Sequence, residues 1–261
     1  MRYKLLAVDM DGTLLNDASI VTQRTREAVL AAMEKGVLFV PSTGRPMYGM
    51  DSVHAMFPGD FPYILFNGAL AVTGETRQVL FSRGLGYGCA KEIYELGMAR
   101  DIPVVLWADN RLYVSRDCVA TREYQDITKA EMRMIDDFHD VTKMLWLASP
   151  AQALRWQEEM IAHFSGRVNC HTSRPELLEF VDAGASKGLA LAEVGKAYGI
   201  AREEMIAVGD GWNDVSMLEY AGLGVAMGNA PEDIKRTCQE VTLGNNEDGV
   251  ARVIEKYILE G

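Results

Sequence analysis

Short apolar runs that each lead into a polar or glycine-rich turn, with a helix between them, set the expected fold of this chain. Three such runs lie in the N-terminal third, and two more lie near the C-terminus, at residues 3–8, 37–40, 62–66, 205–208 and 223–227. Alternation of short strands with helices is typical of α/β folds with a parallel sheet. In such folds, ligands bind beyond the carboxyl ends of the strands. The turns that follow the strands are therefore the places to search for chemistry.

Capping residues mark the predicted helices. Ser19 or Thr22 precedes a helix that Gly36 ends, and Ser186 precedes a helix over 187–198. Serine and threonine are favoured before the first turn of a helix, and glycine is favoured just after the last one. A final helix is predicted over 247–259.

The pattern changes between residues 83 and 184, where Gly84, Gly86 and Gly88 mark the crossing. The segment predicts helices over 90–100 and 150–164 and strands around 104–106, 112–114, 143–147 and 177–180. We therefore predict a core domain formed by residues 1–82 and 185–261, with a second α/β domain, residues 83–184, inserted into it.

Two pairs of acidic residues follow predicted strands. Asp9 and Asp11 come just after the first strand, and Asp210 and Asp214 follow the strand over 205–208. Parallel strands end at one edge of a sheet, which would gather the four carboxylates. Such a gathering calls for a cation, and hard oxygen ligands suit Mg²⁺. Taken alone, the Asp9–Thr13 stretch is equally consistent with a turn in which aspartate caps backbone amides.

Phosphate-binding groups stand at other strand and helix ends. Thr43 offers a hydroxyl and Gly44 an approachable amide after the second strand. Lys187 lies in the first turn of a helix, where the helix dipole disfavours a cation. This misfit suggests that Lys187 faces a local negative charge, although a first-turn lysine on its own is more often a solvated surface group.

Four motifs, in this order along the chain, resemble those of the haloacid dehalogenase-like (HAD) hydrolase superfamily. They are Asp9-Met10-Asp11-Gly12-Thr13, Ser42-Thr43-Gly44-Arg45, Ser186-Lys187-Gly188 and Gly209-Asp210-Gly211-Trp212-Asn213-Asp214. Three more stretches resemble the Cof-type branch with its type IIB cap, namely Asn67-Gly68-Ala69, Ala226-Met227-Gly228-Asn229-Ala230 and Asn246-Glu247-Asp248-Gly249-Val250. The resemblance implies a Rossmann-like parallel-sheet core with an inserted α/β cap. The inserted segment itself resembles the family only in length and position.

The resemblance also implies roles in the hydrolysis of phosphate monoesters. Asp9 would be the nucleophile and a magnesium ligand, forming a transient phospho-aspartate. Asp11 would protonate the leaving oxygen, then activate the hydrolytic water, and would lend its backbone carbonyl to the metal. Asp210 would bind Mg²⁺ directly, with Asp214 in support. Trp212 stands where the family commonly has a polar residue, which bears on substrate preference.

Other residues of the motifs would hold the substrate. The resemblance assigns Thr43, Asn213 and Lys187 to the phosphate, with Lys187 counted among the catalytic residues. Gly44 would add its backbone amide, and Arg45 would reach the phosphate or the rest of the substrate.

Two alternatives compete with a phosphatase. Phosphomutases of the same superfamily also keep an aspartate at the position of Asp11, whereas relatives with a long-lived phospho-aspartate place threonine there. A mutase would release little phosphate and would need a bisphosphate activator. The other alternative is a non-enzymatic regulator that senses phosphate. Regulators of this kind are usually about half as long and have no reason to carry an inserted domain.

Charge and composition limit the classes of molecule that this protein is expected to bind. The formal net charge is -11 and no basic patch is present, which disfavours nucleic acid and anionic lipid. No apolar stretch is long enough for a membrane helix, and the four cysteines form no CxxC pair, which predicts a cytoplasmic protein. The resemblance implies a small phosphorylated metabolite as substrate, with sugar phosphates foremost. The sequence is silent on oligomeric state.

Within the inserted segment, Trp107, His171 and Arg174 lie near predicted strand ends. Each is a candidate for a substrate contact. The alternative is equally good: Trp107 would then be a core residue, and the other two would be solvated.

Overall fold

The computed structural model describes residues 2–260, apart from the side chain of Ser173. The strands are β1 (Leu5–Asp9), β2 (Leu38–Ser42), β3 (Pro62–Leu65), β4 (Leu70–Thr73), β5 (Val79–Ser82), β6 (Val104–Ala108), β7 (Arg111–Val114), β8 (Met132–Met134), β9 (Val141–Leu147), β10 (Val168–Arg174), β11 (Leu177–Asp182), β12 (Met205–Gly209), β13 (Leu223–Ala226) and β14 (Glu240–Val241). The helices are α1 (Gln23–Glu34), α2 (Asp51–His54), α3 (Tyr87–Ala99), α4 (Val119–Thr128), α5 (Pro150–Phe164), α6 (Lys187–Ala197), α7 (Val215–Tyr220), α8 (Glu232–Lys235) and α9 (Gly249–Ile254). Single 3-10 turns lie at Met47–Gly49, Phe66–Gly68, Arg202–Glu204 and Asn245–Glu247, and a π turn, Glu255–Leu259, extends α9.

The chain forms two compact units, each with its own sheet. The first contains the residues up to Gly44, Ser52–Phe81 and the residues from Ser186 onward, and the second contains Arg45–Asp51 and Ser82–Ala185. Residues 45–51 belong to the second unit, whereas the sequence-based prediction assigned them to the core domain. They group with the second unit because the Met47 amide donates to Asn110 Oδ1 at 3.3 Å and the Tyr48 ring lies 6.3 Å from that of Trp107.

The first unit is built on one twisted sheet with the strand order β14-β13-β12-β1-β2-β3-β4-β5. Neighbouring strands from β14 to β3 are parallel, and β4 pairs antiparallel with β3. All five residues of β1 are buried, as expected for a central strand covered on both faces. Because Val8 pairs with Val208 and Asp9 with Ser42, the carboxyl ends of β12, β1 and β2 lie side by side.

Helices cover this sheet, and two of them, α1 and α6, begin at predicted caps. The hydroxyl of Thr22 accepts the Thr25 amide at 3.2 Å at the start of α1, and Gly36 follows the helix with φ +86°. The hydroxyl of Ser186 accepts the Leu189 amide at 3.2 Å and so begins α6. Helices α6 and α7 pack on one face of the sheet in a cluster with Leu5, Ala7, Val40, Ala190, Leu191, Val194, Met217 and Leu218. Helix α1 packs against α9.

The second unit is a sheet with the strand order β10-β11-β9-β6-β7-β8, antiparallel except for the pair β7 and β8. Helices α3 and α5 pack on one face, and their apolar cluster contains Ile93, Leu106, Met144, Trp146, Trp156, Met160, Phe164 and Phe180. Side chains alternate along a strand, so Trp107 points to the opposite face. There its indole nitrogen donates to the hydroxyl of Tyr124 in α4 at 3.1 Å.

Eight elements have no counterpart in the sequence-based predictions, namely α2, α4, α8, β4, β5, β8, β10 and β14. The sequence of β10 is mostly polar and gives no strand pattern of its own; this segment is a strand because it pairs with β11. The last helix begins at Gly249, two residues later than predicted, because Asp248 has φ +57° and cannot continue a helix. Within residues 2–260, no helix combines the length and the apolar character needed to cross a membrane.

Candidate active site

A buried lysine joins two carboxylates at the carboxyl edge of the first unit's sheet. Asp9 is the last residue of β1 and only 5% exposed, and Lys187 is the first residue of α6 and fully buried. Lys187 Nζ donates to Asp9 Oδ1 at 2.5 Å, to Asp214 Oδ1 at 2.6 Å and to the Ser42 carbonyl at 3.2 Å. The hypothesis that Lys187 faces a local negative charge is confirmed.

Asp214 ties this lysine to the turn after β12. Its second oxygen, Oδ2, accepts the backbone amides of Asp210 at 3.0 Å and Gly211 at 2.8 Å. A Cβ at Gly209 would lie 2.6 Å from Asp214 Cβ, so only glycine fits there. Both oxygens of Asp214 are therefore engaged, and its carboxylate holds the turn and the lysine in one arrangement.

Asp210 lies half-buried against the turn that follows β1. Its Oδ1 accepts the hydroxyl of Thr13 at 3.0 Å, and its Oδ2 accepts the side-chain amide of Asn229 at 3.2 Å. A Cβ at Gly12 would lie 2.5 Å from Asp210 Oδ2, and the φ of Gly12 is +82°. Gly12 thus permits both the turn and the close approach of the carboxylate.

The end of β2 meets the turn after β3. The Thr43 amide donates to the Ile64 carbonyl at 2.8 Å, and the Asn67 amide donates to the Thr43 carbonyl at 3.0 Å. Asn67 has a left-handed backbone, with φ +58°, and its Oδ1 accepts the side-chain amide of Asn213 at 2.9 Å. A Cβ at Gly44 would lie 3.0 Å from Asn67 Oδ1. Thr43, Gly44 and Asn213 are therefore linked through Asn67.

Burial and charge perturb the titration of the carboxylates. Burial raises the pKa of Asp9 to about 7, although the Lys187 ammonium opposes the shift, and the charge of Asp214 adds to it. Burial also raises the pKa of Asp210 above its usual range, against the hydrogen bond from Thr13. Burial alone would lower the pKa of Lys187, but the carboxylates of Asp9 and Asp214 raise it above its ordinary value. The site carries more negative charge than its lysine can neutralise.

This arrangement fits a divalent cation. Asp9, Asp210 and Asp214 can each present one carboxylate oxygen such that the three atoms lie within 4.8 Å of one another. With Lys187 they sum to a formal charge of -2, which a divalent cation would offset. All three offer hard oxygen ligands, the kind that Mg²⁺ prefers. Because Asp214 already accepts three hydrogen bonds, Asp9 and Asp210 have more capacity to bind the ion.

Three other residues of the motifs are not among the three clustered carboxylates or their lysine. Asp11 is exposed, and its carboxylate is not part of the group formed by Asp9, Asp210 and Asp214. Arg45 belongs to the second unit. Trp212 is 66% exposed beside Asn213.

The candidate residues of the inserted segment lie in the second unit. Trp107 is fully buried, consistent with the core interpretation, and His171 Nε2 lies 3.4 Å from Glu179 Oε2. Glu179 also accepts from Lys143 at 2.8 Å, and both of these charged side chains are buried. This buried pair was not anticipated from the sequence.

Three residues at the site had no predicted role: Thr13, Asn67 and Asn229. Their contacts with Asp210 and Asn213 give each a position in the cluster. The signal was available for all three, since each lies inside a short motif that the sequence analysis singled out. The partners are what the sequence alone does not specify, since the Thr13 and Asn67 contacts span 197 and 146 positions and even the Asn229 contact spans 19.

Comparison with known proteins shows which proteins this chain is similar to. Residues 6–254 match the family described as haloacid dehalogenase-like hydrolase. The chain is 33% identical to the Bacillus subtilis (strain 168) protein named "Putative phosphatase YxeH", over 98% of this chain and 99% of that one. It is 31% identical to the 5-amino-6-(5-phospho-D-ribitylamino)uracil phosphatase YcsE of the same organism, over 98% and 96%. A crystal structure of a haloacid dehalogenase-like hydrolase from Bacteroides thetaiotaomicron superposes with TM-score 0.85, at 30% identity over 97% and 99%.

Proposed function

The chain belongs to the haloacid dehalogenase-like hydrolase family and is a phosphatase, and we propose that it hydrolyses phosphate monoesters of small metabolites with Mg²⁺. The observation that carries the proposal is the buried Lys187 ammonium bound to both Asp9 and Asp214, with the carboxylate of Asp210 close by. One carboxylate would be enough to pair with a buried lysine in a purely structural role. Three carboxylates near one lysine leave negative charge that a cation can neutralise.

In the first step we assign Asp9 as the nucleophile. A carboxylate oxygen of Asp9 bonds to phosphorus, the ester bond between phosphorus and the leaving oxygen breaks, and Asp11 gives its proton to that oxygen. The Lys187 contact fixes Asp9 Oδ1. Asp9 must be ionised to attack, and because burial raises its pKa to about 7, nearby positive charge is needed to keep it so at neutral pH.

In the second step water hydrolyses the phospho-aspartate. Asp11, now a carboxylate, takes a proton from the water. The oxygen of that water bonds to phosphorus, and the acyl phosphate bond between phosphorus and Asp9 breaks. Phosphate leaves, and Asp11 is again protonated for the next cycle. The exposure of Asp11 suits a group that exchanges protons with substrate and water.

The remaining residues bind and orient. We assign Asp9, the backbone carbonyl of Asp11 and Asp210 as ligands of Mg²⁺, with Asp214 in support. The ion would supply positive charge to the phosphoryl oxygens. Phosphate-binding roles fall to Thr43, Gly44, Asn213 and Lys187, and the role of Arg45 stays a prediction.

We propose a sugar phosphate or a related phosphorylated polyol as the substrate. The name of the YcsE relative describes a phosphate on a ribityl chain, which is a polyol of this kind. We also propose a cytoplasmic location, because all four cysteines are free thiols, the usual state in a reducing compartment.

The test is phosphate release from a panel of phosphorylated metabolites, each measured with Mg²⁺ and with a chelator. Wild type is compared with Asp9→Asn, which keeps the shape of the side chain. The control is Asp233→Asn, which changes an exposed carboxylate on α8 that pairs with Arg236. We expect metal-dependent release by the wild type and the control, and loss of at least about 1,000-fold in Asp9→Asn, because the nucleophile is gone. Equal release by Asp9→Asn would exclude Asp9 as the nucleophile. No release from any compound by a folded wild type would favour the phosphomutase or the regulator.

A further inference from the structure

We propose that Asn229 is a positioning residue for Asp210: its side-chain amide fixes the orientation in which the Asp210 carboxylate meets a metal ion. The inference rests on the proposed function, since it takes Asp210 to be a metal ligand. Asn229 lies in the turn after β13 and is itself exposed.

The orientation of the Asn229 amide follows from its partners. Its Oδ1 accepts the backbone amide of Asn245 at 3.0 Å, and a backbone N–H can only donate. Its Nδ2 therefore faces the other way, where it donates to the Gly12 carbonyl at 2.9 Å and to Asp210 Oδ2 at 3.2 Å. Both of those oxygens can only accept. All three contacts therefore require one and the same orientation of the amide.

These bonds restrict Asp210 from two directions. Thr13, after β1, donates to Oδ1, and Asn229, after β13, donates to Oδ2. Each carboxylate oxygen has two lone pairs, so one on each oxygen remains for a cation. Two donors on opposite oxygens define the plane of the carboxylate, as outer hydrogen-bond partners commonly do for metal-binding side chains.

Asn229 is itself held in place. The adjacent Gly228 amide donates to the Leu243 carbonyl at 3.0 Å. The side chain of Asn245 donates to the Leu15 carbonyl at 3.2 Å and to Asp17 Oδ1 at 3.0 Å, which ties the same turn to the segment after β1. Asn229 therefore connects Asp210, the peptide of Gly12 and the Asn245 turn through one rigid amide.

Two variants separate a positioning role from a change of charge. Asn229→Ala removes all three hydrogen bonds. Asn229→Asp keeps the shape and the acceptor for Asn245, but places an oxygen where Nδ2 donates to Asp210 Oδ2 and the Gly12 carbonyl. The added negative charge alone would strengthen Mg²⁺ binding, whereas repulsion of the Asp210 carboxylate would weaken it.

Asn246→Ala is the matched control. Asn246 is exposed in the same turn as Asn245 and makes two side-chain hydrogen bonds to Asp17, at 2.9 and 3.1 Å, without contacting Asp210. Because Asn229 is exposed, we expect all three variants to fold with thermal midpoints close to that of the wild type.

The experiment measures Mg²⁺ affinity of the metal-free protein by isothermal titration calorimetry. It also measures the Mg²⁺ concentration for half-maximal hydrolysis of para-nitrophenyl phosphate, and KM for that substrate at saturating Mg²⁺. We expect Asn229→Ala and Asn229→Asp to bind Mg²⁺ about 10- to 100-fold more weakly than wild type, as loss of an outer partner usually does. KM at saturating metal should change little, and Asn246→Ala should match the wild type.

The outcomes distinguish this inference from the proposed function. Metal-dependent activity in the wild type with unchanged Mg²⁺ affinity in both Asn229 variants would overturn only the role of Asn229. Tighter Mg²⁺ binding by Asn229→Asp, or an equal loss in Asn246→Ala, would also overturn it. A wild type that does not bind Mg²⁺ would overturn both.

Discussion

Replacing Lys187 by methionine tests the electrostatics of the site directly. Methionine keeps most of the apolar length of the side chain, so the cavity left is small, but the ammonium and its three hydrogen bonds are lost. Asp9 and Asp214 then face each other without a counter-charge in a place that water reaches poorly. The metal-free variant should therefore be much less stable than the wild type.

The magnitude follows from the contacts. Breaking a buried ion pair by removing one partner costs about 3–5 kcal/mol, because the other charge stays buried. Here two carboxylates lose the same cation, but Asp9 can take up a proton, which limits the penalty. The pKa of Asp9 is already raised to about 7 by burial and should rise further in the variant. We expect a loss of about 3–5 kcal/mol in the free energy of unfolding at pH 8, and a smaller loss at pH 5.5, where Asp9 is protonated.

The assay is urea unfolding in the presence of a chelator, followed by circular dichroism at both pH values. The control is Lys196→Met in the same helix. The Lys196 side chain is 78% exposed and pairs with Glu193, so the substitution should cost less than about 0.5 kcal/mol of unfolding free energy. Adding Asp214→Asn to Lys187→Met should recover part of the stability, because it removes one of the two uncompensated charges. A loss below about 1 kcal/mol at pH 8, or a larger loss at pH 5.5 than at pH 8, would refute the reasoning.

Three further predictions concern single residues. Ser42→Ala should leave the free energy of unfolding in urea unchanged or raise it by up to about 1 kcal/mol, because the Ser42 hydroxyl is buried without a hydrogen-bond partner among the described residues. A clear loss of stability would contradict this. Glu179→Gln should lower the unfolding free energy by about 3 kcal/mol at pH 7, by removing the negative charge beside the buried Lys143. Burial alone would raise the pKa of Glu179, but Lys143 and then His171 lower it to about 2. The difference in unfolding free energy between Glu179→Gln and the wild type should therefore disappear as the pH falls from about 4.5 to 2. A difference that stays constant with pH would exclude the ion pair as its cause. Gly12→Ala should reduce phosphatase activity by at least about 100-fold at saturating Mg²⁺, because its Cβ would lie 2.5 Å from Asp210 Oδ2; near wild-type rates would show that the turn can shift.

Local signals predicted much of the first unit. The run from Leu5 to Val8 becomes a central strand with no exposed residue, and the caps at Thr22 and Ser186 begin their helices as predicted. These signals are local because an apolar run and a capping hydroxyl act within a few residues of sequence. The pairing of strands, by contrast, is not set by local sequence. The antiparallel extension through β4 and the partly polar strand β10 depend on neighbours distant in sequence, so their own residues do not reveal them.

The candidate site shows the same division. Strand ends predicted that four carboxylates would meet. The parallel order of β12, β1 and β2 brings three of them together, those of Asp9, Asp210 and Asp214, whereas Asp11 is exposed and is not one of the three. The helix dipole argument predicted a negative partner for Lys187, but not that it would contact two carboxylates at once. The supporting amides, such as that of Asn229, were visible only as motifs. Their contacts depend on side-chain directions that the sequence does not encode locally.

The charges of the site also explain why a lysine and a cation are both needed for the proposed reaction. A phosphate group brings further negative charge to a cluster that already sums to -2 with Lys187 included, on a chain whose net charge is -11. Without further positive charge, the cluster lowers its repulsion by holding a proton on Asp9, as the pKa of about 7 indicates. A protonated Asp9 is a poor nucleophile. With Lys187 as the one positive side chain bound to it among the described residues, Asp9 is therefore partly protonated at neutral pH, and a divalent cation would both release that proton and admit the phosphate.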